Sequence, residues 1–138
     1  LEAHRPRFTF IGLGDTDELA HAGDYRGYLK ALGEADRVIG AIDDLATRWA
    51  ALGESTIVVV TTDHGRAASF RDHGREHPES QRVWLVAAGP GIPSIGAVAL
   101  ARPRFVRDLA PTLALALGVA LEPARDDWST LSEMFEGG

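Results

Sequence analysis

The sequence contains no cysteine, which excludes disulfide bonds and thiolate metal sites. It has no apolar run near the roughly 18 to 20 residues that a membrane-spanning helix needs. Its 14 basic residues are outnumbered by 20 acidic ones, and a net charge of −6 argues against a nucleic-acid-binding surface. A phosphate ester is not excluded as a substrate, because bound cations reverse the local field.

The first residue is not methionine, and the opening LEAHRPR lacks signal-peptide character. An apolar run follows almost at once. We therefore expect the 138 residues to form a single domain that is the C-terminal portion of a larger catalytic domain. The cellular compartment and the oligomeric state stay open.

Three apolar runs predict β-strands, at residues 8–13, 56–61 and 82–87. The second run, TIVVVT, is continuously apolar and β-branched, which is typical of a strand covered on both sides in a parallel sheet. Residues 98–101 predict a short edge strand.

Two longer segments predict helices. Apolar residues recur every three or four positions from about residue 24 to 52, and a glycine follows. Residues 108–117 predict a second helix, with Asp108 as candidate N-cap and Gly118 after its end. Residues 128–135 predict one or two further turns. This order of strands and helices predicts an α/β fold with three layers, α/β/α, and a mostly parallel sheet.

Acidic residues and histidines follow two of the predicted strands. Asp17 and His21 come after the first, four residues apart, so one helical turn can direct both at the same ion. Asp63 and His64 come directly after the second. Ligands of open α/β sheets bind outside the carboxyl ends of the strands, so we expect these residues to meet there.

A third group lies in the polar loop 63–81, whose length is typical of functional loops. His73 can fold back from it to complete the first site, with His77 as an alternative; Asp15 is an alternative to Asp17. Carboxylate oxygens and imidazole nitrogens suit Zn²⁺, Mn²⁺ or Fe²⁺. Each of these groups, taken alone, is equally explained as ordinary surface residues. Their occurrence together indicates a metal site.

Several segments of this sequence, in their order along the chain, resemble the motifs of the alkaline-phosphatase superfamily. The resemblance is strongest to its type I phosphodiesterase/nucleotide pyrophosphatase and sulfatase-like members. The matching segments are GDTDELAHAGDYRGYL, VVVTTDHGR, RDHG, RVWLVAAGPGIP and RDLAPTLALALGV. The resemblance covers nearly the whole chain, and it implies the C-terminal part of an alkaline-phosphatase-like α/β domain.

The resemblance implies two divalent metal ions, most often zinc, with manganese, magnesium or calcium possible. One ion would be held by Asp17, His21 and His73, and the other by Asp63 and His64. The second ion's other ligands would be an N-terminal aspartate and a threonine or serine nucleophile, for which these 138 residues offer no counterpart. We therefore expect the chain alone to be inactive.

The activity implied is hydrolysis of a small phosphate ester, of the phosphodiester or nucleotide pyrophosphate type. The alternatives are a sulfatase-like sulfuric ester hydrolase, a catalytically inactive metal-binding fragment, or an unrelated α/β domain. Arg66, directly after the Asp-His-Gly sequence, is a candidate partner for substrate phosphate or for a ligand carboxylate.

Overall fold

The structure is a computed structural model that describes residues 1–98, 102–121 and 127–135. Contacts divide the chain into two compact units, one formed by Ile11–Pro90 and the other by Leu1–Phe10 with Gly91–Gly138. The single domain expected from the sequence stays a prediction. The regular elements are α1 (Asp15–His21), α2 (Tyr25–Ala50), β1 (Val58–Thr61), β2 (Leu85–Ala88) and α3 (Leu109–Ala116).

The short helix α1 and the long helix α2 are joined by a tight turn. Gly23 in that turn has φ +74°, a left-handed conformation that glycine adopts without strain. Asp24 then caps α2, because its Oδ1 accepts a hydrogen bond of 2.8 Å from the backbone N–H of Gly27. The turn lets α1 pack against the start of α2, and this packing fixes where the residues of α1 point.

Helix α2 confirms the helix predicted from apolar periodicity, but only part of its apolar face is covered. Leu45 and Trp49, near its end, are buried. Leu29 and Leu32, nearer its start, are 49% and 47% exposed. The repeat therefore identified the helix correctly, while the extent of its burial depends on which other elements reach it.

Strands β1 and β2 form an antiparallel pair, from Val58 opposite Ala88 to Thr61 opposite Leu85. Strand β1 lies within the segment predicted at 56–61, and β2 ends one residue after the segment predicted at 82–87. The predicted mixture of helices and strands is confirmed. Their direction differs from the parallel sheet that was predicted. The connection of residues 62–84 contains a short 3-10 helix, Pro78–Gln81, but no crossover α-helix in this fully described stretch. Parallel pairs are usually joined by such a helix.

The strand predicted at residues 8–13 is not formed. These residues have no regular secondary structure, and Phe10 is 84% exposed. A strand requires a neighbour for its backbone groups, and neither described strand pairs with this segment. Of the edge strand predicted at 98–101, residues 99–101 lie outside the described residues and Val98 is not in a strand.

The other unit is built around α3 and confirms the predicted second helix. A 3-10 turn, Val106–Asp108, precedes it. The Asp108 side chain, 1% exposed, accepts hydrogen bonds from the backbone N–H groups of Phe105 and Ser129 instead of capping α3. The predicted C-terminal turn is present as a 3-10 helix, Ser132–Met134. Asp108 therefore occupies the predicted N-cap position of α3, but its side chain makes no capping hydrogen bond to that helix.

Within the described part of the chain, no helix combines the length and the apolar character needed to cross a membrane.

Candidate metal centre

Helix α1 presents Asp17 and His21 side by side. They are one helical turn apart, and Asp17 Oδ2 lies 3.4 Å from His21 Nε2. Both side chains are partly exposed, at 37% and 44%, so an ion from solvent can reach them. The four-residue spacing therefore places both side chains on the same side of the helix, as the sequence predicted.

His73 reaches the same place from the long loop. Its Nε2 lies 3.1 Å from His21 Nε2 and 3.8 Å from Asp17 Oδ1. The ligand atoms of Asp17, His21 and His73 all lie within 4.8 Å of one another. Two donors from one helical turn and a third from 52 residues further along the chain thus converge on one point.

His64 and Asp63 stand beside this group. His64 Nε2 is 3.7 Å from Asp17 Oδ1 and 3.8 Å from Asp63 Oδ2. The His64 ring stacks on His73, with ring centroids 3.8 Å apart and planes inclined by 17°. Four of the five ligands proposed from the sequence are therefore brought together, and Asp63, 90% exposed, stands beside them as the chain neighbour of His64. Their role in holding metal stays a prediction.

A backbone contact defines which nitrogen of His64 is available as a ligand. His64 Nδ1 lies 2.9 Å from the carbonyl oxygen of Gly65. A carbonyl only accepts hydrogen bonds, so Nδ1 must carry the proton that is donated. In the neutral ring the lone pair is then on Nε2, the atom that faces the two aspartates.

The spacing of the donor atoms fits a divalent ion. Zinc binds imidazole nitrogen at 2.0–2.1 Å with tetrahedral geometry, which places its ligand atoms about 3.3 Å from one another. The distances from His21 Nε2 to His73 Nε2 and to Asp17 Oδ2 are 3.1 and 3.4 Å. Nitrogen and carboxylate oxygen are also the atoms that zinc and manganese accept. The third separation, from His73 Nε2 to Asp17 Oδ1, is longer at 3.8 Å.

The surroundings of His73 favour its neutral, metal-binding form. Burial lowers the pKa of His73, and the neighbouring His64, His21 and Arg66 lower it further, while Asp63 opposes them. A lowered pKa keeps the imidazole uncharged at neutral pH, and a histidine binds a metal ion only through its uncharged ring.

Arg66 pairs with the ligand carboxylate, one of the two roles considered for it. Its Nη2 forms an ion pair with Asp17 Oδ1, and its side chain is only 17% exposed. Its Nη1 donates hydrogen bonds of 3.2 Å to the carbonyl oxygens of Phe70 and Arg71. Burial lowers the pKa of Arg66, an effect that Asp72 opposes. The guanidinium is directed into the cluster.

Gly65 allows its loop to pass close to the backbone of Glu79 and Arg82. A Cβ at this position would lie 2.5 Å from the carbonyl oxygen of Glu79 and 2.6 Å from that of Arg82. Both obstacles are backbone atoms that cannot rotate away. Glycine is therefore required here for steric reasons.

The alternative ligands lie outside the converging group. Asp15 begins α1 two residues before Asp17, which places it about 200° around the helix from that residue. His77 precedes the 3-10 helix Pro78–Gln81. Neither belongs to the described set of three donors that could share an ion.

Phe70 is a supporting residue that the sequence did not reveal. It has φ +69°, unusual for a residue with a side chain. Its ring packs edge-on against Tyr25 and Tyr28 of α2, with centroid distances of 5.3 and 5.1 Å. The tyrosines belong to the apolar repeat of α2, although Tyr25 is 59% exposed, and nothing in the sequence marked Phe70.

Comparison with known proteins gives one family and several relatives. The family model described as the metalloenzyme superfamily matches residues 1–119. A phosphopentomutase of Anaeromyxobacter dehalogenans (strain 2CP-C) is 35% identical over 116 residues, which cover 82% of this chain and 26% of the relative. A phosphopentomutase of Anaeromyxobacter sp. (strain K) is 38% identical over 85 residues, covering 59% of this chain and 19% of the relative.

A third relative is a phosphopentomutase of Symbiobacterium thermophilum, 36% identical over 80 residues, which cover 56% of this chain and 19% of the relative. The chain thus spans 19% to 26% of the length of these curated relatives. No solved structure matches it significantly.

Proposed function

The chain belongs to the metalloenzyme superfamily, and from this premise we propose that it supplies the metal-binding residues of an enzyme that transfers phosphoryl groups of small phosphate esters. The observation that carries the proposal is the convergence of Asp17, His21 and His73, whose ligand atoms lie within 4.8 Å of one another. The family match covers both segments that contribute these residues.

We propose two divalent ions in the intact enzyme. The first takes Asp17, His21 and His73, and the second takes Asp63 and His64, which stand beside them. Zinc fits the donor types, and manganese, magnesium or calcium are the alternatives. The ions would polarise the phosphoryl oxygens and neutralise the negative charge that develops during transfer.

The described residues prepare this centre in three ways. The hydrogen bond from His64 Nδ1 to Gly65 keeps the Nε2 lone pair directed at the site. The lowered pKa of His73 keeps that ring uncharged. Partial exposure of Asp17 and His21 leaves the centre open to a substrate from solvent. These features organise donors but provide no nucleophile.

We propose that a threonine or serine nucleophile comes from sequence outside these 138 residues, since the chain spans only 19% to 26% of its relatives' length. The same argument applies to the architecture. A three-layer domain with a mostly parallel sheet is proposed for the intact enzyme, in which further strands would join β1 and β2.

The relatives suggest the substrate class. Their name, phosphopentomutase, describes movement of a phosphoryl group within a phosphorylated pentose. We propose a phosphorylated sugar of this kind as the substrate. Hydrolysis of a phosphodiester, a nucleotide or a sulfate ester, the activities suggested by the motifs, is the competing outcome of the test below.

Metal binding is tested first, on the purified 138-residue chain. Equilibrium dialysis against Zn²⁺ or Mn²⁺, followed by elemental analysis, should show bound ion in the unaltered chain. Asp63→Ala and His64→Ala should each reduce the metal content, because each removes a donor of the second proposed ion. A chain that retains no divalent ion would refute the proposal.

The reaction is tested on the natural gene product that carries these residues, loaded with metal. Phosphorus NMR should show phosphate moving between positions of a phosphopentose without release of inorganic phosphate. Release of phosphate, or turnover of a p-nitrophenyl phosphodiester or sulfate, would favour hydrolysis instead. The 138-residue chain alone is expected to turn over none of these substrates.

A further inference from the structure

We propose that Arg66 is a positioning residue of the metal centre. Its planar guanidinium holds Asp17 and the loop that carries His73 in one arrangement, and metal affinity depends on this geometry more than on the positive charge. The inference rests on the proposed function, because it concerns how the same site is organised.

The guanidinium joins two segments that are distant in the sequence. Nη2 pairs with Asp17 Oδ1, 49 residues away, and lies 3.4 Å from the carbonyl oxygen of Asp17. Nη1 donates to the carbonyl oxygens of Phe70 and Arg71, at 3.2 Å each. Arginine can serve both sides because its N–H groups form a rigid fork, which the single ammonium of lysine does not provide.

On the α1 side, the ion pair orients the ligand carboxylate. Arg66 takes Oδ1 of Asp17, whereas Oδ2 is the oxygen that faces His21 at 3.4 Å. Holding one oxygen fixes the direction of the other toward the imidazole. Partners that orient metal ligands in this way typically change metal affinity by about 10- to 100-fold when they are removed.

On the loop side, the hydrogen bonds fix the backbone just before His73. The two bonded carbonyls belong to Phe70 and Arg71, three and two residues before it. Phe70 holds its unusual φ of +69° while its ring packs against two tyrosines of α2. With its backbone fixed on one side and its ring on the other, the loop brings His73 back to His21.

Charge and geometry predict opposite effects at this position. A guanidinium beside a cation site repels the ion, so removing its charge would by itself strengthen metal binding. Losing the fork would release Asp17 and the loop, and would weaken binding. The direction of the affinity change therefore identifies which contribution is larger.

The test compares Zn²⁺ affinities by competition with a chromophoric chelator. Arg66→Gln removes the charge and the fork, and Arg66→Lys keeps the charge but loses the fork; both should bind zinc about 10- to 100-fold more weakly. Arg37→Gln is the matched control, since Arg37 forms an exposed pair with Glu34 on α2. It lies 12 residues after Tyr25, about 18 Å along the helix, and should leave affinity unchanged.

Unchanged or tighter binding by Arg66→Gln would overturn the inference while leaving the proposed function intact. Arg66→Lys binding as tightly as the unaltered chain would also overturn it, because the fork geometry would then not be needed for zinc affinity. If Arg66→Gln does not fold in a chelator, as judged by circular dichroism, Arg66→Lys decides by the same criterion. No zinc binding by the unaltered chain would overturn the proposed function, and this inference with it.

Discussion

At the scale of single residues, Asp17 occupies the position where the parts of the centre meet. Its two carboxylate oxygens face different neighbours, with Oδ2 toward His21 and Oδ1 toward Arg66, His64 and His73. A carboxylate has enough lone pairs to serve several partners at once. The side chain of Asp17 is therefore a proposed metal ligand, the partner of Arg66 and a neighbour of the second proposed site.

The histidines of the loop are expected to differ sharply in importance. His73→Ala removes one of the three converging donors, so Zn²⁺ affinity should fall by more than the roughly 100-fold typical of losing a supporting residue. His77→Ala removes a histidine of the same loop that is not in the group, and should change affinity less than about threefold by the same comparison. Calorimetric titration would measure both, and equal losses would contradict the assignment of His73.

The lowered pKa of His73 predicts a pH dependence of the metal-free fold. An unfolded histidine has a pKa of about 6.5, and burial together with the neighbouring His64, His21 and Arg66 places the folded pKa of His73 below this. Between the two values the unfolded chain binds more protons, so stability falls as the pH decreases through this window. Below the folded pKa, the effect is complete.

Urea unfolding in a chelator, at pH about 7.5 and about 5.5, on either side of the unfolded pKa, would measure this effect. The midpoint should decrease at the lower pH, and the decrease should be smaller in His73→Ala. An identical decrease in the variant would show that other groups cause it.

At the scale of elements, the Asp-His-Gly turn after β1 depends on a glycine for steric reasons. Gly65→Ala would place a Cβ within 2.6 Å of two backbone oxygens, so the turn must shift and His64 with it. We expect a loss of stability of about 1–3 kcal/mol, as for other overpacked positions, together with weaker zinc binding.

Gly40→Ala is the matched control for this change. Gly40 lies within α2, and a Cβ there would have no atom within 4 Å. Alanine is favoured over glycine inside helices by about 0.5–1 kcal/mol, so the control should be slightly stabilised with unchanged zinc affinity. Thermal unfolding and zinc titration compare the two, and a Gly65→Ala variant that behaves like the control would refute the steric argument.

The sequence revealed elements better than their pairing. Apolar periodicity located α2, and β-branched runs located β1 and β2, because these signals are local. The direction of the strand pair and the exposure of residues 8–13 depend on which neighbours are present, which a local pattern does not contain. Trp84, within the apolar run of residues 82–87, is 53% exposed for the same reason.

The site shows the same division. Motif spacing indicated Asp17 with His21 and Asp63 with His64, because these pairs are close in sequence. Arg66 was a candidate partner for a ligand carboxylate, but its contact with Asp17 spans 49 residues, so the sequence alone did not select that partner. The left-handed backbone conformation of Phe70 could not be predicted either, because the aromatic contacts of its ring are with a different element, α2.

At the scale of the whole molecule, an ion held only by the folded centre must stabilise the fold. Its donors come from α1 and from the long loop, so zinc at a free concentration of 100 times its dissociation constant should add about 2.7 kcal/mol to the free energy of unfolding. Urea unfolding with zinc and with a chelator would measure this. His21→Ala should show a much smaller gain, and equal midpoints for the unaltered chain in the two conditions would contradict binding at a native site.

The separation of His21 and His73 by 52 residues also bears on the order of events as the chain folds. Closing a loop of that length costs an entropy equivalent to on the order of 3–4 kcal/mol, so an unfolded chain gathers the complete donor set only rarely. Before folding, only neighbours such as Asp17 and His21 are available to capture an ion, and they do so weakly. Full coordination would thus come late, after the loop has docked on the helices, and ion capture would report the completion of folding.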